Sequence, residues 1–424
     1  MSADTPLRRD GTDTCDTMLR WNAVRIIVSC AVLGAALAAC GGGGGATAAL
    51  PSVAAAARAD GSGQSTPTPA PSSPATNQSS GQAAPSGVGF DGQPVGTTFF
   101  ANNALARSLS QNPRIDPQSA AMVAAMTVGD IGHLQFDPSG NAGTVVSTGH
   151  ASDPVYSVRC LEPWGTCSAT SVHVPNGTRS GPATDFHNAF IDAAAGTVTD
   201  SWLTCASFQS GGQSGAGYHG SPCSFPLAAR TFNIGWGGSG ALSSDGTGFG
   251  GTASSLSLVA GIVRPEDLLA GRMTHGVEIA VQCAQRGNEV YPAKGSDGKG
   301  NATCTGATAE PRYGQILWLD AVGEAETLGL NPTVLAPYIR AMHDFGFYIG
   351  DRDEGGSVPQ GSDEFAPDVE SNPAWTTVVH AIQSDPNAVD TSVTNGGYHI
   401  TPRVPSDIRS HLFILDATCS QNGC

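Results

Sequence analysis

Five polar residues stand in or beside strand-like runs and carry the types that acid–base chemistry needs: Asp185, His187, Asp200, His275 and Asp351. Across the run Phe186 to Asp192, the period of two puts Asp185, His187, Ala189 and Ile191 on one face and Phe186, Asn188 and Phe190 on the other. An acid and an imidazole then sit side by side. The run after it puts Val198, Asp200 and Trp202 on a common face, and a hairpin through Ala193 to Gly196 pairs the two strands antiparallel. Register decides whether Asp200 approaches Asp185. His275 opens a run with Val277, Ile279, Val281 and Cys283 on its face, and Asp351 ends one that starts near Phe345. Hydrolysis of a glycosidic bond needs one protonated and one ionised carboxyl. A lyase needs a base for the proton alpha to a uronate carboxylate and a group that stabilises the enolate. These residue types fit either chemistry. A structural role for the D-x-H pair and a mixed carboxylate–imidazole metal site around Asp185, His187 and His275 are the competing readings.

The positioning elements are short runs broken by turns: Val155 to Arg159, Ser171 to Val174, Phe186 to Asp192, Thr197 to Thr204, Thr231 to Trp236, Gly276 to Cys283, Gln315 to Leu319 and Phe345 to Ile349. Helices are expected over Ser119 to Met126, from Pro265, and from Thr333 to Asp344. With 55 Gly, 28 Pro and only 13% charged residues, the composition is rich in turn formers and poor in helix formers. The expectation is an all-β, β-rich domain: a disulfide-stapled β-sandwich or jelly roll with a few short helices. A formal net charge of -16 disfavours nucleic acid as a partner. No G-x-S-x-G occurs, which leaves serine chemistry without support. Trp202, Trp236, Trp318 and Tyr348 read as core residues before sugar platforms.

Arg20 and Arg25, the apolar run Ile26 to Ala36 and Leu37-Ala38-Ala39-Cys40 describe a secretory signal with a lipobox, with Met18 an alternative initiator. The expected organisation is a signal peptide over 1–39, a lipidated Cys40 with a disordered tether to 96, and one sandwich domain over 97–424. The lipid makes the membrane a partner. Gly41 after the Cys suits outer-membrane sorting if the cell is Gram-negative. In an oxidising compartment, Cys160 with Cys167, Cys205 with Cys223, Cys283 with Cys304 and Cys419 with Cys424 are the simplest disulfides. Structural zinc is the rival, but no C-x-x-C pair is present.

Asn102-Asn103, Ile115 to Ser119 (I-D-P-Q-S), Asp185-Phe186-His187, Thr199 to Trp202, Ala260 to Arg264, Met273 to Gly276, Tyr291 to Ala293, Pro311 to Gly314 and Phe345 to Asp351 together resemble a family of secreted actinobacterial and proteobacterial proteins. Its members read D-R-H, H-A-L and Y-G-x-x-x-x-D where this chain has Phe186, Gly276-Val277 and Phe345. The resemblance implies a secreted β-sandwich and suggests carbohydrate-active chemistry. The resulting expectation is an extracytoplasmic glycoside hydrolase or polysaccharide lyase acting on a polysaccharide, with no cofactor and no metal. A non-catalytic carbohydrate-binding or envelope-associated lipoprotein is the alternative, and a protease of the acid-carboxyl type a third.

Overall fold

A computed structural model describes residues 93–125, 134–136, 144–162, 167–178, 187–204, 230–281, 284–296, 309–321, 334–352, 358–359, 373–384, 390–394, 397–401 and 408–424. The expected signal peptide, Cys40, nearly all of the tether, Asp185, Cys205, Cys223, Cys283 and Cys304 lie outside these residues. All described residues fall in one compact unit, Ser79–Cys424.

The strands are β1 Leu134–Phe136, β2 Val145–Gly149, β3 Val155–Cys160, β4 Val172–His173, β5 Asn188–Asp192, β6 Thr197–Trp202, β7 Thr231–Ile234, β8 Trp236–Ala241, β9 Val277–Val281, β10 Ile316–Leu319, β11 Phe347–Arg352, β12 Val358–Pro359, β13 Asp390–Thr394, β14 Gly397–Thr401 and β15 Leu412–Ile414. The helices are α1 Ser119–Ala125, α2 Pro265–Leu269, α3 Ala336–Asp344, α4 Pro373–Gln383 and α5 Cys419–Asn422. The strands form sheets in the orders β1-β14-β13, β2-β5-β6-β8, β4-β3-β7 and β12-β9-β11-β10-β15. The protein is sheet-rich with few, short helices, as its turn-rich composition implies.

The run expected from Thr231 to Trp236 is two strands, broken at Gly235. Among the described residues, three strand pairs are parallel: β2 with β5, β3 with β7 and β9 with β11. Parallel partners need a crossover rather than a tight turn, and between β9 and β11 the crossover carries β10 and α3. Leu335, Tyr338 and Met342 at α3 pack with Val277, Ile279, Phe347 and Ile349. Met122 and Val123 of α1, Leu268 of α2, and Val378 and Ile382 of α4 join the same core. Helices therefore cover one face of the five-stranded sheet, because apolar helix stripes and a buried sheet face satisfy each other.

The opposite faces of the two largest sheets matter for the site. Ala189 and Ile191 of β5 and Val198 of β6 pack with Phe249 and the run Leu258 to Ala260. Phe249 crowds β8, whose G-G-S-G sequence admits it: a Cβ at Gly238 would meet the Phe249 carbonyl and one at Gly240 the Phe249 ring. Gly350 of β11 makes room in the same way for a side chain of the neighbouring strand, since a Cβ there would lie 1.9 Å from Oε1 of Glu278. Gly350→Ala is expected to cost about 1–3 kcal/mol, the usual range for overpacking. Urea melts of the two chains at one pH check this, and an unchanged midpoint would contradict it.

Two of the expected disulfides lie within the described residues and are formed, Cys160–Cys167 and Cys419–Cys424.

Candidate functional site

The hairpin through Ala193 to Gly196 forms, and β5 and β6 pair antiparallel with Ala189 opposite Asp200. Asp200 therefore shares a sheet face with Ala189, and His187, two residues earlier on the same strand line, lies on that side by the period of two. His187 is half-buried, and its carbonyl accepts the Val145 amide. Asp200 is fully buried. Its Oδ2 accepts the Leu258 amide at 3.0 Å, whereas Oδ1 is buried without a hydrogen-bond partner. Loss of water pushes the carboxyl up to about 7, against the opposing pull of the Ser257 hydroxyl and the Leu258 amide.

The residue that sequence reasoning missed is Glu278, in the middle of β9. All five residues of β9 are buried. Ser254 donates its hydroxyl to Glu278 Oε1 at 2.8 Å, and the Thr252 and Ser254 hydroxyls are 2.9 Å apart. Burial raises Glu278 to about 8; the Ser254 and Thr252 hydroxyls oppose this, and the charges of Asp351 and then Asp200 add to it. Both buried carboxyls are raised, and the charge of one opposes ionisation of the other, so the pair holds its second proton more tightly than its first. Asp351 is half-buried at the β11 bulge, where Oδ2 accepts the Ala253 amide at 3.4 Å.

One turn supplies most of these partners. Thr252, Ala253, Ser254, Ser257 and Leu258 all contact or neighbour a carboxyl of the group, and Ser255 among them has a positive φ of 61°. A non-glycine residue held there is strained by roughly 1 kcal/mol or more. The Ser255 carbonyl accepts the amides of both Gly248 and Phe249, which fixes the turn against the segment that follows β8. The segment thus ties a carboxyl of the four-stranded sheet to two from the five-stranded sheet.

His275 is placed with a different set of groups. Its Nδ1 donates to the Gly276 carbonyl at 2.7 Å, and its Nε2 is buried without a hydrogen-bond partner. Burial holds its pKa below the ordinary imidazole range, and the nearby Arg264 charge adds to this. Arg264 is itself fully buried and donates to the Pro94 and Gln93 carbonyls at 2.9 and 3.1 Å. Among the described residues, no hydrogen bond joins His275 to Asp200 or Asp351. Asp200, Glu278 and Asp351 therefore make one electrostatic group; His275 sits with Arg264, and the expected convergence with Asp185 lies outside the described residues. Among the described residues, no group of three or more His, Cys, Asp or Glu side chains is placed to hold a metal ion. Trp318 and Tyr348 are core residues, and Trp202 and Trp236 are half-buried.

No helix among the described residues is long and apolar enough to cross a membrane. No family model, no curated protein and no solved structure matches the chain.

Proposed function

We propose that the chain is an extracytoplasmic carbohydrate-active enzyme, a glycoside hydrolase, tethered to the cell envelope through a lipid on Cys40. The proposal includes the finer architecture expected from sequence, a sandwich or jelly roll, here between the Asp200 face of one sheet and the Glu278 face of the other. One observation carries the reading: two buried carboxyls from different sheets interact so that one keeps its proton where the other has lost it. That is the division of labour that glycosidic hydrolysis requires. It favours hydrolysis over elimination, because the imidazole that a lyase would use, His275, sits with Arg264 and not with this group.

Activity on a polysaccharide should follow a bell in pH. It requires Asp200 ionised and Glu278 protonated, so its limbs fall near about 7 and about 8. Incubating the chain with bacterial envelope and plant polysaccharides and measuring new reducing ends across pH tests this. Asp200→Asn and Glu278→Gln should each lower the rate by at least about a hundredfold. Unsaturated sugar products would replace hydrolase with lyase. The full burial of Asp200, Glu278 and His275 favours a second reading, a non-catalytic envelope lipoprotein whose carboxyl group joins two sheets. Absence of cleavage across the panel, with polysaccharide binding unchanged in both variants, would establish it.

A further inference from the structure

Asparagine followed by glycine occurs at Asn176-Gly177, Asn395-Gly396 and Asn422-Gly423. Such a pair can react with itself, because a glycine amide with no Cβ beside it reaches the preceding side-chain carbonyl with the least steric opposition. The reaction needs that amide free. Asn395-Gly396 lies outside the described residues; the other two pairs are both exposed and differ in this respect. At the end of α5 the Gly423 amide donates to the Cys419 carbonyl at 2.9 Å, inside the loop closed by Cys419–Cys424. Asn176 and Gly177 stand instead in a turn closed by the Thr178 amide on the Pro175 carbonyl at 3.3 Å, with Gly177 at a φ of 96°. Among the described residues, neither the Asn176 side chain nor the Gly177 amide takes part in a hydrogen bond. The strand before the turn is held firmly. β4 pairs with β3, the His173 amide donates to Asp192 Oδ2 at 2.9 Å with Nδ1 of the ring 2.8 Å from the same oxygen, and the Val174 amide donates to the Pro154 carbonyl.

We propose that Asn176 is a self-modification site, converting through a cyclic imide to a mixture of aspartate and isoaspartate. The Gly177 nitrogen, its proton taken by hydroxide, bonds to the Asn176 side-chain carbonyl carbon, and the side-chain nitrogen leaves as ammonia. Water then opens the five-membered ring in one of two ways. Addition at the side-chain carbonyl breaks its new bond to the Gly177 nitrogen and gives aspartate. Addition at the main-chain carbonyl breaks the original peptide bond and leaves Gly177 joined through the side chain, which is isoaspartate. Nothing is oxidised or reduced, and water and hydroxide are the only co-reactants. Either product adds a negative charge, and isoaspartate adds one carbon to the backbone between β4 and β5. Because β4 is anchored up to the fully buried Val174, the fold survives and altered chains accumulate with age. The reaction is independent of any activity on polysaccharide.

The full chain, kept folded near neutral pH and sampled over weeks, is digested and read by mass spectrometry. The peptide carrying Asn176 should gain the mass difference between amide and acid and split into two products of equal mass. The peptide carrying Asn422 should convert on the order of fivefold more slowly, since one hydrogen bond must open first. Equal rates at the two positions, or an Asn176 peptide that keeps its mass, overturns the inference. In denaturant the two rates should converge; a difference that persists there would trace the contrast to local sequence and overturn its structural cause. Asn176→Gln lengthens the side chain past the five-membered ring and should abolish the mass gain, whereas a gain that persists places the reaction elsewhere in the peptide. The aged chain should melt with the fresh one, and a melting temperature that falls in step with conversion overturns the claim that β4 stays anchored. Asn176-Gly177-Thr178 also matches the acceptor pattern for an N-linked sugar. A sugar found on Asn176 in chain isolated from its own cells would block the leaving nitrogen and overturn the site.

Discussion

At pH 9 the protein should melt well below its melting temperature at pH 7, and a chain carrying both Asp200→Asn and Glu278→Gln should lose most of that difference. Both carboxyls are held above their ordinary values in the fold, to about 7 and about 8, because burial penalises the ionised form. Unfolded, they ionise near pH 4, so above that pH the folded chain binds more protons than the unfolded one. Stability is then fully present below about pH 4 and falls as pH rises, until both groups have ionised in the fold. Each tenfold difference in proton affinity is worth about 1.4 kcal/mol, and although most of the effect is lost between about pH 4 and 7, roughly 2 kcal/mol of it falls between pH 7 and 9, an appreciable part of a typical stability. Other shifted groups do not mimic it. The lowered carboxyls Asp192, Glu289 and Asp416 act at acid pH, and the lowered His275 makes stability rise with pH around the imidazole range. Above pH 7 the downward trend belongs to Asp200 and Glu278. Calorimetry at pH 5, 7 and 9 reads it, and a wild-type curve that is flat or rising between pH 7 and 9 would contradict the buried pair.

A chain shortened to begin at Phe99 should be less stable than one beginning at Ser79 by on the order of 3 kcal/mol. The segment Gln93 to Thr98 sits at the boundary where the sequence expects tether to give way to domain, yet its backbone serves the interior. Gln93 and Pro94 give their carbonyls to the buried Arg264, Gly96 gives its amide to Asp267 Oδ1 at 2.7 Å and its carbonyl to Thr274, and Thr98 accepts Asn103. Asp267 lies 3.8 Å from the guanidinium, too far to replace those partners alone. Hydrogen bonds to a charged group contribute roughly 1.5–3 kcal/mol each, and water entering behind a missing strap returns only part of this. Denaturant melts of the two chains measure the difference. Equal midpoints would mean that the strap adds nothing, and Arg264→Met should also destabilise, since it leaves the buried Asp267 without its charge partner.

What could be read from sequence and what could not follows from how local each signal is. The β5–β6 hairpin was legible because an Ala-Ala-Ala-Gly turn joins two alternating runs, and that register placed Asp200 on the face of Ala189. The helices from Ser119 and Pro265 were legible from their first turns. Glu278 lies on the opposite face of β9 from the line His275, Val277, Ile279, to which the polar residue at the strand's start draws the sequence reading. A clue was present: a lone acid in G-V-E-I-A-V, a strand apolar enough to be buried on both faces, must be paired or protonated. The parallel pairing of β9 with β11, which sets Glu278 beside Tyr348 and near Gly350, joins residues about seventy positions apart and leaves no local pattern. β2 and β15 were missed for the same reason, being short runs whose partners lie far along the chain, whereas β13 and β14 pair with each other and fall where the sequence pattern is irregular.

The two ends of the folded chain are knotted together in space. Ile115 bridges Leu415, the Asp116 amide bonds the Ile414 carbonyl, Arg107 donates to the Gln421 carbonyl at 2.7 Å, and the Ser110 amide bonds the Cys424 carbonyl. β15 fills an edge of the five-stranded sheet, and α1 packs on it. Contacts over such separations form slowly, and the segment from Arg107 to α1 completes its hydrogen bonding only with the residues from Leu412 onward. Removing the residues from Leu412 onward would therefore take an edge strand from the sheet and partners from the Arg107 to Asp116 segment, and so act on folding rather than trim a tail.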